Sequence, residues 1–270
     1  MRPYRVRAND YSPLPIIMPT QMLVQIEEDN HWWFATRTRA ILALLDKYAG
    51  EGKNGRTVLD VGAGAGNMMH NLAQYGDVVG LEYNPKPIPV AAERGFDVRQ
   101  GDAADMPFTD ASFDIVALLD TVEHIADETA VLNETFRVTK PGGTMVVTVP
   151  ALMWLWSNND VINLHERRYT APELKTKLQK GGWEVPYCGY NNFLIFPLGA
   201  GMILIRKRTD KEPDMASPHF DDDAYQVEME PASPLVNTVL EKVGLAEVAM
   251  LKRMRLPIGT SVIAIAQKPE

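Results

Sequence analysis

Three glycines at alternate positions, Gly62, Gly64 and Gly66, follow the short apolar run Thr57-Val58-Leu59-Asp60-Val61. A buried strand that enters such a turn and continues as a helix presents bare backbone amides, and glycine lets a ligand lie directly against them. Asp60 stands two residues before the first glycine. A carboxylate there repels a pyrophosphate but suits a ligand carrying an ammonium and a sulfonium, the charge pattern of S-adenosylmethionine. A dinucleotide fingerprint would need its third glycine at position 67, where the chain has Asn67. The turn therefore favours S-adenosylmethionine over NAD, with an ordinary glycine loop as the plain alternative.

Two more acids stand at matching intervals. Glu82 closes an apolar run at residues 78–81 and lies 20 residues after Gly62, where nucleotide folds place an acid for both ribose hydroxyls. An acid here also disfavours a 2′-phosphate. A solvated strand-end acid is the bland reading. Gly101-Asp102-Ala103-Ala104-Asp105 follows a third strand expected near residues 96–99. Asp102 can accept from an exocyclic amine such as that of adenine, or simply close an Asx-turn on its own backbone.

These groups must be delivered by strands. Residues 112–119 carry the apolar run Ile115-Val116-Ala117-Leu118-Leu119, which ends in Asp120-Thr121-Val122-Glu123-His124, as expected of a central parallel strand opening into a ligand crevice. A helix carrying Val131, Leu132, Phe136 and Val138 precedes Pro141-Gly142-Gly143, and a fifth strand is expected at residues 144–150. A helix is also expected over residues 68–75. Strand and helix alternate with short connections, which implies a parallel sheet with right-handed crossovers.

The ordered series VLDVGAGAG, VVGLEYN, GDAADMPF, FDIVALLDTVEHI and KPGGTMVVTVP resembles the class I S-adenosylmethionine-dependent methyltransferases, nearest to the small-molecule branch called type 11 or type 23. The resemblance covers residues 56–185. It implies an α/β, Rossmann-like, doubly wound sheet of seven strands, mostly parallel with the last strand antiparallel. It also implies S-adenosylmethionine as cofactor, S-adenosylhomocysteine as product and direct in-line displacement. By the same resemblance Gly62, Ala63, Gly64 and Gly66 approach the methionine part with Asp60. Glu82 and Tyr83 meet the ribose, Gly101, Asp102 and Ala103 the adenine, and Asp120, Thr121 and Val122 line the methionine end. Tyr83-Asn84-Pro85-Lys86-Pro87 is richer in proline than the family's usual helix start.

The activated methyl group needs only an aligned acceptor and a dry site, with a base for an oxygen acceptor. Candidate bases and substrate contacts are His124, His165 and Tyr169, the last two in Asn163-Leu164-His165-Glu166-Arg167-Arg168-Tyr169. Their plain alternatives are a helix-end cap and a polar loop. Upstream, His31-Trp32-Trp33-Phe34 and Arg37 lead into an amphipathic helix with Ile41, Leu42, Leu44 and Leu45. Adjacent aromatics cannot all face one core. The resemblance implies a lid helix over the cofactor, with Trp33 near it and Arg37 on the methionine carboxylate; anchoring on the sheet is the equal alternative.

The chain of 270 residues, 46% hydrophobic, reads as one elaborated domain. Residues 1–50 form the N-terminal lid, 56–190 and 258–268 the core, and 191–257 a helical insertion on the substrate side. A net charge of −8 without a basic stripe argues against nucleic acid as a partner. One cysteine, Cys188, excludes a thiolate zinc site and fits a reducing cytoplasm. Arg2, Arg5 and Arg7 precede no signal-peptide run. Residues 193–205 carry no charge and read as a buried helix, with a lipid-like pocket wall or a peripheral membrane contact as alternatives; the run is too short to span a bilayer. Asp221-Asp222-Asp223 reads as a solvated loop, and no metal is expected. The reading is a methyltransferase acting on a small, partly apolar acceptor. An NAD-dependent oxidoreductase and a non-catalytic S-adenosylmethionine-binding regulator are the alternatives.

Overall fold

The computed structural model describes residues 31–51, 55–209 and 233–270. The basic N-terminal residues and Asp221–Asp223 lie outside them. Among the described residues seven strands form one sheet: β1 (Arg56–Val61), β2 (Gly76–Glu82), β3 (Val98–Gln100), β4 (Phe113–Leu119), β5 (Thr139–Pro150), β6 (Glu184–Asn191) and β7 (Ser261–Gln267). Their spatial order is β3-β2-β1-β4-β5-β7-β6. The first five pair in parallel, and β7 slots antiparallel between β5 and β6. The carboxyl ends of β1 to β6 therefore all meet one edge, shared with the start of β7.

Alternation along the strands sorts the core into two layers. Leu59, Val61, Val116, Leu118, Val147, Val149, Val262 and Ala264 face α4 (Glu128–Val138) and α6 (Ala171–Lys180). Val58, Ile115, Ala117, Val146, Ile263 and Ile265 face α1 (Trp32–Ala49), through its Ile41, Leu44 and Leu45. Most of α1 is thus a core layer rather than a loose cover. Only its first turns reach the crevice edge.

Several boundaries differ from the sequence reading. The helix after the glycine turn, α2, is the single turn Met69–Leu72, because Gly76 already begins β2. A Cβ at Gly76 would lie 2.0 Å from the Arg56 carbonyl oxygen, so this strand start takes only glycine. The proline-rich segment after Glu82 delays α3 to Ile88–Glu93, and the one-turn α5 spans Asn158–Ile162. Strand β5 starts before Pro141-Gly142-Gly143, with a register shift where those residues bulge and exchange backbone bonds with Lys268.

The insertion contains α7 (Phe196–Thr209) and α8 (Pro234–Leu251). Helix α8 packs on α1: Gly244 approaches Thr36, Asn237 Oδ1 accepts from the Trp32 amide, and Glu247 accepts from the amides of Asn192 and Leu194. The expected buried helix at residues 193–205 is corrected here. Leu198 is 60% and Ile205 63% exposed, with Met202 and Leu204 also open, so the charge-free run shows an apolar face outward.

Candidate active site

The crevice edge over β1 to β3 is made largely of backbone. Strand β1 ends at Val61, and Gly62, Gly64 and Gly66 all adopt positive φ, a conformation that costs glycine little. A Cβ at Gly62 would lie 2.5 Å from Thr121 Oγ1, so the turn closes against the loop after β4. Gly66 meets Phe96 instead and serves packing. Glu82 Oε2 accepts from the Gly64 amide at 2.9 Å and Oε1 from the Asn84 amide at 2.8 Å. Each oxygen keeps a lone pair for a further donor. Tyr83 is exposed beside it. Asp102 is exposed and closes an Asx-turn on the Ala104 amide, with Gly101 bonded to the Glu82 carbonyl. Ala103 is buried in the core layer.

Asp60 is 3% exposed at the end of β1. Burial pushes its carboxyl up to about 7, with the nearby Arg37 charge opposing and Glu82 adding to the rise. A cationic ligand group would find here a carboxyl that gains most by ionising. Arg37 is itself buried: its Nη2 lies 2.6 Å from Asp120 Oδ2 and 3.0 Å from Thr148 Oγ1, and its guanidinium sits over the Trp33 ring. The predicted carboxylate clamp is therefore already paired within the protein. Asp120 adopts φ 53°, left-handed for a residue with a side chain, immediately after β4. Thr148 Oγ1 donates to its Oδ1. Thr121 Oγ1 donates to the Val61 carbonyl, and Val122 is buried in the core rather than turned to the crevice.

The crevice edge after β4 and β5 is built from side chains. His165 Nδ1 lies 2.9 Å from Asp160 Oδ1, and Arg168 grips both Asp160 oxygens at 2.7 and 2.9 Å. Asp160 also takes the Ser157 amide in a capping box that starts α5. Burial pushes the Asp160 carboxyl up, but hydrogen bonds from His165 and Arg168 outweigh it and hold it well below the carboxylate range. The His124 and His165 rings meet edge to face at 4.7 Å. Burial, then the neighbouring His165, lowers the His124 pKa. Glu123 is fully buried, and desolvation raises its carboxyl well above the usual range, helped by Asp120.

The structure brings His124 and His165 together and removes Tyr169 from the list. Tyr169 is fully buried, and its hydroxyl donates to Glu128 Oε2 at 2.7 Å. Burial and that carboxylate push the phenol up, so Tyr169 anchors α4 and touches no crevice. Sequence reasoning did not single out Glu123, Asp160 or Thr148. The Glu-His pair at 123–124 and the five-residue spacing of Asp160 and His165 were usable signals.

With this geometry in view, residues 59–147 match the methyltransferase-domain family. A probable S-adenosylmethionine-dependent methyltransferase of Mycolicibacterium smegmatis is 31% identical over 58% of this chain and 61% of its own length. The ubiquinone biosynthesis O-methyltransferase of Cereibacter sphaeroides is 39% identical over 34% of this chain and 40% of its own. The chain thus spans about three fifths of the first relative and two fifths of the second. Among solved structures, phosphoethanolamine N-methyltransferase 2 of Haemonchus contortus, in complex with S-adenosyl-L-methionine, matches with TM-score 0.55 and 20% identity over 85% of this chain and 52% of that one. The cyclase SpnF matches with TM-score 0.55 and 20% identity over 88% of this chain and 83% of that one; at that identity both show the fold alone. Motif order, the methyltransferase-domain match over residues 59–147 and the sheet topology together support a class I S-adenosylmethionine-dependent methyltransferase domain. S-adenosylmethionine is the cofactor that this match supports, and the chemistry of the glycine turn, Asp60 and Glu82 is compatible with it. No helix among the described residues is long and apolar enough to cross a membrane.

Proposed function

We propose that this chain transfers the methyl group of S-adenosylmethionine, by in-line displacement, to a small and partly apolar acceptor. The observation that carries this is the division of one sheet edge. A backbone cradle with three acids lies over β1 to β3, and a histidine pair braced by a buried aspartate lies after β4 and β5. The glycine turn and Asp60 hold the methionine end, Glu82 the ribose and Asp102 the adenine. His165, oriented by Asp160, stands on the acceptor side with His124.

Exposed apolar groups support the choice of acceptor. Trp154, in the loop after β5, meets Phe196 of α7 at 6.0 Å, and Leu194, Leu198 and Met202 continue the surface from the same edge. Relatives named for ubiquinone biosynthesis and for ajmaline agree with an acceptor of this kind. The acidic net charge supports a small molecule over nucleic acid, and the single buried cysteine a reducing cytoplasm.

Calorimetric titration with S-adenosylmethionine, S-adenosylhomocysteine and NAD tests the cofactor, followed by labelled-methyl transfer onto apolar hydroxyl- and amine-bearing compounds. Micromolar binding of the two sulfur compounds with turnover is the expected result. Binding of NAD alone overturns the reading, and tight binding without any transfer turns it into a regulator.

A further inference from the structure

We infer that Glu123, His124 and His165 form a binding site for a divalent first-row transition-metal ion, zinc being the best fit to their donors. One carboxylate oxygen and two imidazole nitrogens all lie within 4.8 Å of one another, a group the described residues bring together from two loops. The loops are themselves tied, since the Glu166 amide donates to the Glu123 carbonyl at 2.8 Å. Two imidazoles and one carboxylate suit zinc and its neighbours; magnesium and calcium prefer all-oxygen sets. Three protein ligands would leave a further position open, on the side where His124 is exposed.

A second observation points to the same ligand. Glu123 is fully buried, and among the described residues no other residue donates a hydrogen bond to either carboxylate oxygen. A buried carboxylate without a donor is costly, and a cation between it and the histidines supplies what it lacks. The histidines are also braced as metal-bound imidazoles are. Asp160 holds His165 Nδ1, leaving Nε2 for coordination, and backbone groups of Asn163 and Leu164 hold the His124 ring. The metal-free expectation from the sequence is thereby revised, and the two histidines become ligands rather than bases.

What the ion would do rests on the methyl-transfer reading. An acceptor hydroxyl in the open position loses its proton to solvent more readily. Its oxygen pair then attacks the methyl carbon while the carbon–sulfur pair passes to sulfur. The test needs neither cofactor nor acceptor. The full chain, stripped with chelator, is titrated calorimetrically with Zn²⁺, Mn²⁺ and Mg²⁺, and its melting is followed with and without Zn²⁺.

One equivalent of Zn²⁺ should bind at micromolar affinity or tighter, with Mg²⁺ far weaker. Glu123→Gln, a neutral isostere, and His165→Ala should each weaken binding at least tenfold, and Asp160→Asn on the order of 10–100-fold. Zn²⁺ should raise the melting temperature of the wild type but not of folded Glu123→Gln. Wild type and Glu123→Gln binding alike would overturn the site. So would no binding by the wild type together with higher stability of Glu123→Gln, which would mark Glu123 as a buried neutral acid. Either failure leaves S-adenosylmethionine binding untouched, and failure of cofactor binding leaves the metal result standing.

Discussion

The two halves of the crevice solve the same backbone problem differently. Over β1 to β3 the left-handed positions go to Gly62, Gly64 and Gly66; over β4 to β6 they go to Asp120, Leu152, Leu164 and Asn192. Glycine takes that conformation freely, whereas a residue with a side chain bears roughly 1–3 kcal/mol of strain. The cofactor half needs bare amides for an unchanging ligand. The acceptor half needs side chains at fixed places, and it also buries Glu123, Asp160 and the Arg168 that pairs with Asp160. Backbone strain therefore concentrates after β4 to β6, whereas both halves bury ionisable groups, Asp60 and Arg37 in the first and Asp160 with Arg168 in the second.

The sharpest way to break this contrast is at Asp160. Arg168→Ala leaves a buried carboxylate without its main partner, and breaking such a pair costs roughly 3–5 kcal/mol. Urea unfolding should show that loss, and a change under 1 kcal/mol would mean the network is dispensable. Gly62→Ala attacks the other half. About 1–3 kcal/mol of backbone strain adds to the collision with Thr121, so S-adenosylmethionine affinity should fall along with stability. Normal binding by a folded Gly62→Ala protein would place the cofactor elsewhere.

Glu82→Ala should weaken the cofactor by about 1.5–3 kcal/mol for the charged hydrogen bonds alone, and more as the Gly64 and Asn84 amides lose their acceptor. Asp102→Ala should cost less, because Asp102 is exposed and anchors one turn. Equal affinities by calorimetry in both variants and the wild type would remove these assignments. His165→Ala should leave cofactor affinity intact and depress turnover.

A smaller effect tests Asp60 by its proton. Burial lifts its folded pKa from 3.8 to about 7, so the folded chain holds a proton that the unfolded chain has lost. That proton's contribution to stability is complete below about pH 4 and fades as pH rises through about 7. A bound sulfonium and ammonium favour the ionised form, so binding near pH 6 should release protons. Calorimetry in two buffers of different ionisation enthalpy reads this directly. Identical heats would separate Asp60 from the cofactor, and Asp60→Asn should abolish the difference. Smallest of all, Leu198→Gln and Met202→Gln should change stability by less than about 0.5 kcal/mol yet raise the acceptor KM. An unchanged KM would take α7 out of the acceptor's path.

What was legible follows the same division. Apolar runs and glycine spacing write the parallel strands and the cofactor turn directly into sequence, since each acts within a few residues. The burial of Tyr169 and the exposure of Leu198 depend on which elements pack where, and an apolar run looks alike in both settings. Asp160 and His165 lie five residues apart and meet across the turn that ends α5, but their meeting with Glu123 depends on the loop after β4 packing beside that turn. That contact has no fixed spacing to read.

The place of β7 between β5 and β6 has a consequence for biosynthesis. The parallel part of the sheet can assemble once residue 150 has emerged, but β6 has no neighbour until residues 261–267 arrive. A nascent chain therefore carries an unpaired edge at β5 through more than a hundred residues of synthesis, the kind of edge that invites association. The cofactor half can be in place on the ribosome while the acceptor half waits for the final strand.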